Sequence, residues 1–366
     1  MKSFRLEISK TRIFAFILIT AYLPFIYPAD IDSREFLSLK SVFATGGRIS
    51  GDPLAAPGGG ILFFSEDRYL YSFDSSGAFL SRKKIKNSFS PFHAQGIDRI
   101  IYKYFRDNSL KAVNSSGQIL WSVKINSTLL YAPFISSSGD IITAEDDGIL
   151  SSYSYSGRKR WELDLKNSPV TNSSKAAMSC IPCAGLSGVI YAGMSDGNIV
   201  SLNSSGKIIK WIKNTENSIT ALFSSGRKLY ASDTKGRLLV YNKDLDLQKS
   251  LKLKSPVLSI RASRNLLAVI HRNGSASVYD DEMKLLRSFG SSMKITGEQL
   301  LDDRNVYFLA GKGFVAWFDS LSGISGEASI PLKAVNGIRE VKDKYPHHSF
   351  LYKEGAILAA GGEDWN

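Results

Sequence analysis

The chain has 366 residues, room for two ordinary domains or one large repetitive one, and its 43% hydrophobic and 22% charged content excludes global disorder. The formal net charge of +12 admits acidic partners and makes a nucleic-acid role the first class to test.

Lys2, Arg5, Lys10 and Arg12, with Glu7 the only acid among them, precede the apolar run Ile13–Pro28, 16 residues interrupted by Pro24. A bilayer span needs about 20 apolar residues, whereas a basic start followed by a shorter apolar run suits export. Residues 1–29 are therefore expected to be a signal peptide, cleaved after Ala29, or an N-terminal membrane anchor through residues 13–28. No cysteine follows the run to carry a lipid. Cleavage would lower the net charge from +12 to +9. The glycine-rich stretch Gly46–Gly60 leads into strands and not a helix, so it reads as a linker and not a phosphate cradle.

From there the sequence repeats. A polar residue closes an apolar strand just before a small turn at Asp74, Asn114, Ser154, Asn203, Asn242, Asp280 and Asp319, at intervals of 40, 40, 49, 39, 38 and 39. The residue before each anchor is apolar or aromatic. Six positions before it stand Gly148, Gly197, Gly236, Gly274 and Gly313, each after a polar residue, as a tight hairpin turn requires. Alternating runs such as "VIYAGMSDGNIVSLN" give two strands of a hairpin, a third precedes them ("SPVLSI") and a fourth follows ("RKRWELDL"). Four strands per unit of about 40 residues is a propeller blade.

Cys180 and Cys183 sit in "MSCIPCAG", where the 49-residue interval places an insertion, expected between the first and second strands of the fourth repeat. No second CxxC or nearby His completes a zinc site, and the βαβ context of a thioredoxin-like site is missing, so a local disulfide is expected in an oxidising compartment. His93, His271, His347 and His348 form no spaced metal motif, and the acid pairs Asp146/Asp147, Asp280/Asp281 and Asp302/Asp303 fall at turns. Lysines and arginines such as Arg82, Lys83, Lys84, Lys249 and Lys252 fall on the outermost strands. There they deter edge-to-edge pairing and need no nucleic acid.

The repeat phrase, a hairpin, a polar turn with Gly, then a Trp on the outermost strand, resembles that of the PQQ-like (quinoprotein-type) β-propeller family. Trp121 and Trp161 hold the Trp position, Trp211 comes one residue late, and later repeats lack it. The resemblance implies that these three residues dock one blade on the next. It also implies a WD40-like, quinoprotein-like superfamily fold. The family's quinone enzymes carry an adjacent cysteine pair and calcium ligands; this chain has neither pattern. The resemblance therefore points to the non-enzymatic branch, by analogy with an outer-membrane protein assembly lipoprotein.

The expected fold is all-β: a β-propeller of four-stranded antiparallel blades, eight with an incomplete last one or seven, forming a single domain over residues 30–366. Strands near 334–341 and 349–360 would begin the last blade, and Phe36–Phe43 would pair into it and close the ring. The expected function is a non-catalytic scaffold for protein–protein interaction, exported to the periplasm or cell envelope, monomeric, with no cofactor, no metal and no nucleic acid. The competing expectation is a PQQ-dependent dehydrogenase-like or other enzyme using the central channel.

Overall fold

The computed structural model describes residues 14–21, 37–45, 50–86, 90–146, 148–169, 177–213, 216–301, 304–310, 314–323, 325–329, 349–353 and 356–360. Among them the strands form eight four-stranded sheets, antiparallel throughout the described ladders. The chain divides into two compact units, one of residues 1–89 with 330–366 and one of residues 90–329.

The second unit holds six sheets in chain order, each made of four consecutive strands. With the sheet from Leu54–Ala55 to Phe79–Lys84 of the first unit counted as the first, the fourth sheet is representative: Cys183–Ala184, Ile190–Gly193, Asn198–Leu202 and Ile208–Lys213. The two middle strands are buried at every position, although the sequence pattern suggested alternation. The reason is that this sheet is covered on both faces, which makes its central strands near-continuously apolar. One face of the fourth sheet (Ile190, Ala192, Val200, Leu202) packs on Ile142, Ala144 and Leu150 of the third. The other (Tyr191, Ile199) packs on Ile219, Leu229 and Tyr241 of the fifth. Separate cores of the same kind join the second sheet to the third, the fifth to the sixth and the sixth to the seventh. Stability in such an array comes from nearest-neighbour interfaces.

The recurring anchor is a turn acceptor. Asn203 Oδ1 accepts the backbone N–H groups of Ser205 (3.0 Å) and Lys207 (2.9 Å), and Asn114, Asn242 and Asp280 repeat the pattern. A short polar side chain that caps the turn explains why Asn, Asp or Ser stands there.

Two expectations need correction. The extra residues of the long interval do not lie between the first and second strands of the fourth sheet. They precede its first strand, Cys183–Ala184, which is joined to Ile190–Gly193 by a short turn. The repeat needs a short turn within the sheet and tolerates length only in the crossing from one sheet to the next. The N-terminal strand also differs in its pairing.

In the first unit, the first sheet runs from Leu54–Ala55 to Phe79–Lys84. The remaining sheet has Leu37–Thr45 beside Phe14–Ala21, then Ala356–Ala360 and Ser349–Lys353. Residues 37–45 thus share a sheet with the C-terminal hairpin, but the strand paired directly to Ala356–Ala360 is Phe14–Ala21, with Phe16 opposite Ala360. The expected strand at 334–341 lies outside the described residues. No helix among the described residues is long and apolar enough to cross a membrane.

Candidate functional site

The first strands of consecutive sheets in the second unit, Phe134–Ile135, Cys183–Ala184, Ile219–Ser225 and Val257–Ala262, wall a cavity of about 540 Å³. The cysteines expected to be joined both line it, and both are free thiols in the structure. Cys180 is buried against Gly193, so close that a Cβ on Gly193 would fall 2.7 Å from its sulfur. Burial pushes the Cys180 thiol far up, the neighbouring Cys183 adds to this, and the Gly193 N–H opposes it. Burial raises Cys183 to about 12, against the pull of the Ser224 N–H and of Arg261. Both sulfurs are therefore protonated at neutral pH and poor nucleophiles. Tyr131, on the same wall, is pushed to about 12 by burial and by Cys180.

Two hydroxyls of this wall have structural partners. Ser179 Oγ donates to Ile219 O at 2.7 Å, and Thr220 Oγ1 and Ser232 Oγ are 2.8 Å apart. Among the described residues Arg261 is the one charged residue on the lining, with Nη1 donating to Ile260 O at 3.2 Å and its guanidinium carbon 5.4 Å from the Phe223 ring centre. At the rim, Ile181 and Leu258 are about half exposed, at 52% and 50%. Sequence reading found the cysteines through their spacing. It missed Arg261 and Tyr131 because their neighbours belong to different repeats; the usable signal was their place on or beside first strands.

Other ionisable groups lie apart. Lys103 is fully buried in the strand Ile101–Phe105, opposite His93, and its ammonium donates to Ser90 O. Burial lowers it to about 7. His271 is held by Ser255 O (3.3 Å) and Ser277 Oγ (3.1 Å), and burial lowers its pKa. It borders a second cavity of about 460 Å³ with Leu251, Tyr279 and Phe289. His347, His348, Asp147, Asp302 and Asp303 lie outside the described residues. Among the described residues no three of His, Cys, Asp and Glu gather to hold a metal ion.

The docking tryptophans divide. Trp121 Nε1 donates to Tyr155 O (2.7 Å) and Trp161 Nε1 to Ser204 O (2.8 Å), each reaching the anchor turn of the next sheet. Both stand seven residues after their anchor, opposite the residue two before it, past a bulge that skips one position. In the fourth sheet that station is Lys210, opposite Ser201, and Lys210 Nζ reaches Asp246 of the next turn at 2.9 Å. Trp211 is 40% exposed, one residue along and facing the other way, so the reach expected of it is made by Lys210. In the fifth sheet Lys249 holds the station and donates to Glu282 O at 3.1 Å.

The family model described as "Outer membrane protein assembly factor BamB" matches residues 66–280, more than half of the chain. The crystal structure of BamB from Moraxella catarrhalis is similar at TM-score 0.61 and 13% identity, over 84% of this chain and 93% of that one. The computationally designed protein Ika8 is similar at TM-score 0.64 and 16% identity, over 87% and 94%. At such identities these two show the fold alone, a β-propeller of four-stranded antiparallel blades. No curated protein is matched by the sequence. Repeat, blade and family match agree: the chain belongs to the outer membrane protein assembly factor BamB family of PQQ-like propellers.

Proposed function

We propose that the chain is a non-catalytic scaffold that binds a protein partner in the cell envelope, working as a monomer on one propeller domain over residues 30–366. Family membership across residues 66–280 is the observation that carries this reading. The chemistry of the candidate site supports it: the Ser179 and Thr220 hydroxyls are engaged within the sheets, and apolar side chains are exposed at the rim. Exposed apolar groups around a concavity are what a partner needs.

Export, through residues 1–29 as signal or anchor, belongs to the same proposal, as does oxidation of Cys180 and Cys183 to a disulfide in an oxidising envelope. The test is photo-crosslinking in the native envelope, with a photoreactive amino acid placed singly at Ile181, at Tyr155 on an exposed turn and at Trp211 on an outer strand. The expected result is a discrete covalent adduct with one protein from at least one position. Absence of an adduct from all three would overturn the scaffold reading.

A further inference from the structure

The third-to-fourth and fifth-to-sixth interfaces use the same stations with different side chains. Trp161, Leu163 and Leu165 stand seven, nine and eleven residues after the anchor Ser154. They share one core with Met194, Val200 and Leu202, which stand nine, three and one residues before the anchor Asn203. All six are apolar. Around Asn242 and Asp280 the same stations hold Lys249, Leu251 and Leu253 and, across from them, His271, Ser277 and Tyr279. Tryptophan, methionine and valine have become lysine, histidine and serine. At this interface lies the cavity of about 460 Å³, and five of the six residues line it. The sixth, Lys249, is off the lining and donates to Glu282 O (3.1 Å) and to the Glu282 carboxylate. Met283, at the turn position where Gly206 underlies the Trp161 indole, is also on the lining. In a close-packed array, exchanging large apolar groups for polar ones that turn elsewhere opens space between the sheets. The space is at the station where the earlier interface seats an indole.

The polar pair gives this cavity a chemical preference. His271 is buried, and burial lowers its pKa from the ordinary value, so its ring is neutral at pH 7. A carbonyl only accepts, so Nδ1–H donates to Ser255 O (3.3 Å) and Nε2 accepts from the Ser277 hydroxyl (3.1 Å). Ser277 Oγ has then used its one donor and keeps acceptor lone pairs. Such an oxygen welcomes an N–H or O–H and repels a carboxylate. Leu251, Leu253 and Phe289 supply apolar surface, and Met283 a thioether suited to an aromatic ring. Lys252 and Lys254 are exposed on the lining, and no acid lies there among the described residues, which disfavours a cation.

We infer that the groove between the fifth and sixth sheets binds an uncharged aromatic compound of indole size, with its ring against Leu251 and Met283 and its N–H or O–H donating to Ser277 Oγ. The inference goes beyond the scaffold reading and does not depend on it; the crosslinking outcome bears on the scaffold alone.

The test titrates the full chain with three probes, followed by saturation-transfer NMR. They are indole, benzofuran (the same two-ring frame without the N–H) and tryptamine (the indole with a cationic arm). Indole is expected to bind with a Kd of about 0.1–1 mM, reasonable for nine heavy atoms. Benzofuran should bind about fivefold more weakly, the scale of one hydrogen bond, and tryptamine more weakly than indole. Ser277→Val, which restores the residue type of Val200, should remove the advantage of indole over benzofuran. Lys249→Trp with Met283→Gly rebuilds the Trp161–Gly206 pairing and should exclude indole. Equal binding of indole and benzofuran by the wild type overturns the inference without any variant having to fold. So does tryptamine binding as tightly as indole, or no binding of indole up to about 5 mM. A preference that survives Ser277→Val, or undiminished indole binding by the rebuilt double variant, places the ligand elsewhere and removes this site.

Discussion

The indole of Trp161 lies across Gly206 of the next sheet's turn. A Cβ on Gly206 would fall 2.5 Å from Trp161 Cδ2, while Trp161 Nε1 donates to Ser204 O beside it. Trp121 has the same relation to Gly157, at 2.8 Å. Both glycines have positive φ (79° and 83°), so they answer a conformational and a steric demand together. In the next two turns the corresponding residues are Leu245 and Met283, still at positive φ. There the station on the preceding sheet is Lys210 or Lys249. At Gly157 and Gly206, tryptophan above and glycine below form one unit.

Trp161→Ala is expected to cost about 2–4 kcal/mol, as a half-buried aromatic truncation with one lost hydrogen bond. Gly206→Ala should cost at least about 1 kcal/mol from its left-handed backbone alone, and more from displacing the indole. Urea unfolding of the double variant checks the pairing. The two costs should fall short of additive, because without the indole only the backbone part remains. Simple additivity would refute the contact.

Lys210→Ala should lower the melting temperature much less than Trp161→Ala. The Lys210–Asp246 pair lies between exposed side chains, so its effect should shrink further as salt is raised. Equal losses at low and high salt would show that Lys210 acts through packing.

Lys103 should shape the pH dependence of stability. Its folded pKa is about 7 against 10.5 for the ordinary side chain. Below about 7 it is protonated in both states and the full cost of burying the charge is present. Between the two values the unfolded chain holds a proton that the native one has released, so stability rises with pH across that window. Each pH unit of the window is worth about 1.4 kcal/mol. Lys103→Met should be the more stable protein at pH 6 and should lose the rise; an unchanged slope would place the titration elsewhere.

Protein taken from the envelope should resist alkylation at both Cys180 and Cys183 until it is reduced. The alkylation must be done in denaturant, because burial alone makes the native thiols slow to react. Mass spectrometry showing two modified thiols without reductant would exclude the disulfide.

The intact mass of that protein also tests export. Under the proposal it lacks residues 1–29, or keeps them in the membrane fraction. A soluble envelope protein retaining them would instead favour the sheet in which Phe14–Ala21 pairs with Leu37–Thr45.

The sequence alone determined the blade. An anchor with a capping side chain, a hairpin glycine and an apolar strand recur at near-constant spacing, and each is a local demand of backbone geometry that leaves its mark on neighbouring residues. It also disclosed Trp121, Trp161 and the CxxC spacing; Lys103 went unread, although it is the odd residue in "IYKYF", where Ile101, Lys103 and Phe105 share a face. What only the tertiary structure decided was every relation between repeats. The Lys210 and Lys249 stations, the insertion ahead of Cys183 and the meeting of Cys180, Tyr131 and Arg261 around one cavity depend on which faces two sheets turn to each other. A sheet buried on both sides encodes its two neighbours in alternate residues of the same strand, and an apolar strand reads the same whichever neighbour it serves.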